Sequence, residues 1–253
     1  MLTAELLSIL VPVHNEASTV ATVIERLRTI DLPLPREIVI VNDGSTDGTR
    51  EVLDDQARRD ETLLVIHAEK NTGKGAAIRS GLASARGTII AIQDADLELD
   101  PAQLASLVAP ILSGAASVVY GSRFLAGRPA VPLLTLAANV TLTAVTNLLY
   151  RSRLTDMETC YKIMRTGIAR GLQLESNRFD IEPEPTFDPP VLTMQHAFGT
   201  LAPTPGGTAY LKRLDPVRVQ ARAALSAYDA GQPVAAQALV RAAEALASFR
   251  KLF

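Results

Sequence analysis

Between residues 6 and 120 the chain repeats one device. A short apolar, β-rich run is followed by a loop of Asn, Asp, Gly, Ser or Thr, and then by a segment of helical spacing. The apolar runs fall at 6–13, 37–41, 63–67, 88–92 and 117–120. The helical segments start at Ser18 or Thr19, after Asp47, at the Gly73-Lys74-Gly75 run and at Asp100-Pro101, the last an N-cap with proline in the first helical position. Strands that alternate with helices imply a parallel sheet covered on both faces. The expected fold is therefore α/β, a mostly parallel sheet with helices on both faces. In open sheets of this class, ligands bind at the carboxyl ends of the strands. The loops that fall there are 14–16, 43–47, 94–98 and 121–123.

The strand at 88–92 runs into Gln93-Asp94-Ala95-Asp96-Leu97-Glu98. In extended chain, alternate side chains project to one side, so Asp94, Asp96 and Glu98 are placed to gather around one point. Like charges that close repel unless a hard divalent cation, Mg²⁺ or Mn²⁺, lies between them, and such ions commonly carry substrate phosphates. The plainer reading makes them solvated residues ahead of the next helix. Asp43-Gly44-Ser45-Thr46-Asp47 caps the helix after it, while Asp43, first beyond its strand, is placed to bind a base or ribose. Gly73-Lys74-Gly75 lacks the flanking residues of a P-loop, but glycines at a helix start leave N–H groups that can face an anion.

At 253 residues the chain can bury a sizeable core, and 47% hydrophobic against 21% charged residues is the balance of an ordinary globular protein. A net charge of -2 offers no basic surface for nucleic acid. The single cysteine, Cys160, cannot form an internal disulfide and reads as a core residue. No basic region and long apolar run mark the N-terminus as a signal peptide, so a cytoplasmic location is expected. Residues 129–150 carry no charge and lie between Arg128 and the pair Arg151 and Arg153. Their length nearly reaches a membrane span, but Thr, Asn and early prolines dilute them, favouring a buried helix or one lying on a bilayer.

Five motifs, in order, carry a resemblance. They are Val11-Pro12-Val13-His14-Asn15-Glu16, Val41-Asn42-Asp43-Gly44-Ser45-Thr46-Asp47, Asn71-Thr72-Gly73-Lys74-Gly75, Gln93-Asp94-Ala95-Asp96-Leu97-Glu98 and Gly121-Ser122-Arg123-Phe124. In that sequence they resemble the family 2 glycosyltransferases of GT-A fold. Asp156-Met157-Glu158-Thr159-Cys160-Tyr161-Lys162 and Glu175-Ser176-Asn177-Arg178-Phe179 resemble the polyprenyl-phosphate branch, typified by dolichol-phosphate mannosyltransferase. The resemblance implies that Pro12, His14, Glu16 and Asp43 hold the base and ribose, with Lys74 also on the donor side. His14 replaces an aromatic often found there and leaves the base open. Asp94 and Asp96 match the pair that binds the metal and the donor diphosphate, with Glu98 as a third ligand. Arg123, Lys162 and Arg178 match cationic positions near the phosphates, Arg128 is a further candidate, and Asp156 is placed to orient the acceptor or a cation.

The activity implied by the resemblance is a Mg²⁺- or Mn²⁺-dependent, inverting transfer of a hexose from a GDP-mannose or UDP-glucose type donor to a polyprenyl or dolichyl phosphate. The expected setting is the inner face of a membrane, in the making of cell-envelope glycans, with self-association left open. Two other readings remain: a soluble family 2 transferase with a carbohydrate or small polar acceptor, and a degenerate sugar-nucleotide-binding protein. The resemblance stops at Glu184. Pro185 comes immediately after it, and residues 185–253 read as a proline-rich linker and an Ala-rich helical tail, either a replacement domain or an altered reading frame. The expected division is thus 1–184 and 185–253.

Overall fold

The computed structural model describes residues 5–97, 99–123, 133–150, 154–177 and 181. Among the described residues six strands form one sheet: β1 (Leu7–Val13), β2 (Arg36–Asn42), β3 (Leu63–His67), β4 (Ile89–Ile92), β5 (Val118–Tyr120) and β6 (Lys162–Arg165). Their spatial order is β3-β2-β1-β4-β6-β5. β1 lies parallel to both β2 and β4, and β2 is parallel to β3. The helices are α1 (Val20–Thr29), α2 (Thr49–Arg59), α3 (Lys74–Ser84), α4 (Leu104–Leu112), α5 (Leu133–Tyr150) and α6 (Thr166–Gly171). Asp100 caps a 3₁₀ turn, Pro101–Gln103, that leads into α4, its carboxylate accepting the Ala102 N–H at 3.1 Å.

β1 reads as a continuous apolar run because both of its faces are covered. Leu7, Ile9, Val11 and Val13 face α1, α2 and α4, where Val20, Val23, Ile24, Leu27, Leu53, Leu104, Val108 and Ile111 complete one core layer. Leu10, between them, joins Val39, Ile90 and Ile92 in a second layer with Ile78 and Leu82 of α3 and Ala169 of α6. Each such aliphatic side chain, fully buried, contributes about 1.5–3 kcal/mol of transfer free energy.

The end of the sheet opposite the motif loops is tied by one buried carboxylate. Glu37 accepts the Ser8 hydroxyl, the Arg86 N–H at 2.6 Å and the Arg86 Nε at 2.8 Å. Burial pushes this carboxyl up, but the hydrogen bonds from Ser8 and Arg86 outweigh it and hold it below its ordinary value.

Two features depart from the simple alternation. The strand at 117–120 does not add next to β4. Instead β6, which the sequence pattern did not reveal, inserts between them and runs antiparallel to both, pairing Ile90 with Met164 and Tyr120 with Lys162. The apolar segment forms α5, and among the described residues no helix is long and apolar enough to cross a membrane. The chain divides into Met1–Pro185 and Thr186–Phe253, and the linker and helical tail expected at 185–253 lie outside the described residues.

Candidate active site

The motif loops meet at one edge of the sheet, because β1 to β4 end there and the antiparallel β6 begins there. The loops after β1 and β2 are knitted together. His14 donates from Nδ1 to the Asp43 carbonyl at 2.8 Å, which fixes the tautomer, since a carbonyl can only accept. Asn15, at φ +57°, receives the Thr46 N–H on its side-chain oxygen at 2.8 Å and gives its own N–H to the Ser45 hydroxyl at 2.9 Å. The Glu16 N–H reaches the Thr49 hydroxyl at 2.9 Å, while Pro12, within β1, is half-buried and in register with Val41. Asp47 binds the N–H groups of Ala17 and Thr49, and its carboxyl is held below the ordinary range chiefly by the Thr49 hydroxyl.

Asp43 has a first task other than the one expected of it. Its carboxylate, only 3% exposed, accepts the Thr72 N–H at 2.8 Å, the Thr72 hydroxyl at 2.9 Å and the Gly73 N–H at 2.6 Å. These bonds fasten the β3–α3 loop to the end of β2. Gly44 allows the close approach: at φ +63°, a Cβ there would lie 2.4 Å from the Lys70 carbonyl carbon.

From Asp94 to Leu97 the carboxylate run after β4 is not extended chain. β4 ends at Ile92, and the backbone bends at Ala95, Asp96 and Leu97, with Ala95 tucked into the core. The strand-like alternation expected there is therefore absent over Asp94 to Leu97. Among the described residues no three His, Cys, Asp or Glu side chains gather as a metal-binding group, and Glu98 lies outside those residues. Asp94 instead holds Lys74, whose Nζ is 2.6 Å from its Oδ1 with the lysine 10% exposed. Lys74 thus stands at this edge as the partner of a carboxylate. Behind Asp94 stands a link invisible in the motif strings: Tyr161 donates to the Gln93 Oε1 at 2.8 Å, and the Gln93 Nε2 donates to the Asp94 carbonyl at 3.1 Å. Burial pushes the Tyr161 hydroxyl far up, so it remains a donor at any working pH.

On the other side of the edge, Arg123 and Asp156 form a bidentate pair. Arg123 Nε lies 2.8 Å from Oδ2 and Nη2 3.0 Å from Oδ1, with the Arg123 N–H adding a third bond at 3.1 Å. The Asp156 side chain is 0% exposed and Arg123 21%. Lys162 is no surface cation either. It is fully buried, donates to the Thr159 carbonyl and lies 5.2 Å from the centre of the Tyr120 ring. Arg178 and Arg128 lie outside the described residues.

The N-terminus of α3 does not present bare N–H groups to an anion. Gly75 and Ala76 donate to the Asn177 carbonyl at 2.8 and 3.3 Å, and Arg79 grips the Ser176 carbonyl and the Asn177 side chain. Gly75 is required by that contact, because a Cβ there would lie 2.1 Å from the Ser176 oxygen. The sequence carried one signal of this, a glycine inside the first helical turn where alanine would serve the helix better.

The family model described as Glycosyl transferase family 2 matches residues 8–169. The chain is 34% identical over 111 residues to dodecaprenyl-phosphate galacturonate synthase of Rhizobium johnstonii, covering 42% of this chain and 32% of that protein. It is 36% identical over 107 residues to undecaprenyl-phosphate 4-deoxy-4-formamido-L-arabinose transferase of Pseudomonas aeruginosa, covering 41% of this chain and 32% of that one. The chain thus spans about a third of the length of these curated relatives. Its fold is similar to that of glucosyl-3-phosphoglycerate synthase from Mycobacterium tuberculosis, crystallised with Mn²⁺, UDP-glucose and phosphoglyceric acid, at a TM-score of 0.57 and 20% identity over 73% of this chain and 64% of that one. Strand order, the clustering of motif loops at one sheet edge and a family match from β1 through most of α6 agree: the chain has the GT-A fold and belongs to glycosyl transferase family 2.

Proposed function

We propose that the chain is an inverting glycosyltransferase that moves a hexose from a nucleotide sugar, of GDP-mannose or UDP-glucose type, to a polyprenyl phosphate. The observation that carries this reading is the pairing of two anion-handling units at one sheet edge, the Lys74–Asp94 contact after β4 and the buried Arg123–Asp156 pair after β5. The names of the two curated relatives, both acting on a polyprenyl phosphate, support the acceptor class. The Mn²⁺ and UDP-glucose of the mycobacterial structure support the donor class.

Asp94 and Asp96 fit a hard divalent cation: both are oxygen donors, and Asp94 already holds a positive charge, that of Lys74, against Oδ1. Glu98 is the proposed third ligand. Bound there, Mg²⁺ or Mn²⁺ supplies charge neutralisation as the nucleoside diphosphate departs. On the donor side, the His14 to Glu16 and Asp43 to Asp47 loops form the wall for base and ribose, with Asp43 setting its shape through Thr72 and Gly73. On the acceptor side, Arg123 holds one anionic partner against the other. Asp156 fixes that guanidinium and, with three N–H bonds already received, is no candidate for the base. None is needed, since a phosphate monoester, with a second pKa near 6, is largely ionised at neutral pH. Lys162 and Arg178 complete the proposed cationic set.

α5 is proposed to lie along the bilayer at its inner face. Its described outer positions are Val140, Thr141 and Ala144, all uncharged and exposed. The test is transfer from GDP- and UDP-hexoses to polyprenyl phosphate in liposomes, with co-sedimentation scored alongside. Turnover with water-soluble acceptors only, and no liposome binding, would replace this reading by that of a soluble transferase.

A further inference from the structure

We infer that α5 sets the position of Arg123, and that Thr143 and Asn147 are positioning residues of the phosphate site; this rests on the role proposed above for Arg123. Among the described side chains of α5, Thr143 and Thr146 are the buried ones, 6% and 2% exposed, while Val140 is 53% exposed. A threonine hydroxyl is not buried for packing alone, because its lost hydration has to be replaced. Here the side chains of Thr143, Thr146 and Asn147 all go to one loop, residues 154–157. Asn147 takes the Leu154 N–H on Oδ1 at 2.8 Å and returns its Nδ2 to the Leu154 carbonyl at 2.7 Å. Thr143 Oγ1 accepts the Met157 N–H at 3.3 Å, and the Thr146 hydroxyl donates to the Met157 sulfur at 2.9 Å.

The loop is therefore pinned on both sides of Asp156. Asp156 in turn holds Arg123 through both its side chain and its N–H, so the guanidinium has one orientation only while the loop stays pinned. α5 carries no charged residue, so the placement of the Arg123–Asp156 pair, rather than its charge, is the variable that α5 controls.

The test uses the full chain. The Arg123 Nε–H is followed by NMR in the wild type and in Thr143→Val, Thr143→Ser and Asn147→Ala, together with core amide protection at Leu10. The Nε–H is expected to exchange about tenfold faster in Thr143→Val and Asn147→Ala, the scale of one lost hydrogen bond. Thr143→Ser keeps wild-type protection, and Leu10 is unchanged in all three. Kinetically, KM for polyprenyl phosphate rises in the same two variants, while KM for the nucleotide sugar does not. Asn147→Ala adds nothing in an Arg123→Ala background, since it acts through that residue. Unchanged Nε–H exchange, or Leu10 loosened to the same degree, overturns the inference. The exchange measurement needs no turnover, so this inference and the assigned reaction fail separately.

Discussion

The side chains at this sheet edge are mostly committed to one another, and that commitment decides what each substitution does. Asp156 is fully buried with its charge satisfied by Arg123, so Asp156→Asn removes the carboxylate charge against which a partly buried guanidinium is held. A loss of about 3 kcal/mol is expected, read from the urea midpoint, along with reduced transfer. Asp96 is half-exposed at a bend and carries no core packing. Asp96→Ala is expected to lower metal-dependent transfer roughly 100- to 1000-fold, the scale of losing one group aimed at developing charge, while the melting temperature stays close to wild type. Full turnover of that variant at saturating Mg²⁺ sinks the ligand assignment. These commitments were not legible in the motif strings. A sequence names Asp43 and Lys162 as polar residues at strand ends, but whether the charge faces substrate or protein depends on a partner far along the chain. Asp43 finds Thr72 and Gly73; Lys162 finds a tyrosine ring one strand over.

Among elements, the strands β1 to β4 and the helices α1 to α4 were readable because each is stated locally, by an apolar run or a cap such as Asp100-Pro101. β6 was not, because four residues, Lys-Ile-Met-Arg, carry no periodicity of their own and become a strand only by lying between β4 and β5. Two contacts between elements are open to measurement. Gly75→Ala drives a methyl into the Ser176 carbonyl and breaks the hold of α3 on the 176–177 segment, so a loss of about 1–3 kcal/mol is expected in denaturant. Glu37 ties β1 and β2 to the turn before β4, and its carboxyl titrates below its ordinary value of 4.5. The unfolded chain binds the proton more tightly, so the stabilisation is fully present above the unfolded value and drains away as pH falls through the folded one. Glu37→Gln is expected to flatten the stability curve in that acid window; an unchanged slope would remove Glu37 from the acid response.

For the molecule as a whole, a ligand that binds only the folded state reports on the donor site without requiring an acceptor. A matching nucleotide sugar with Mn²⁺ at a hundred times its Kd is expected to stabilise by about 2.7 kcal/mol, raising Tm by roughly 5–10 °C. Chelation with EDTA is expected to erase most of that rise, and a rise unaffected by EDTA argues for metal-free binding. The order of the sheet has one more consequence. β5 is made well before β6, the strand it pairs with, so β4 leaves the ribosome with one flank bare and β5 with its pairing flank bare. Until β6 has emerged those flanks are open to pairing with any other nascent strand, and an early stop just after Tyr120 should yield aggregates instead of a smaller soluble protein.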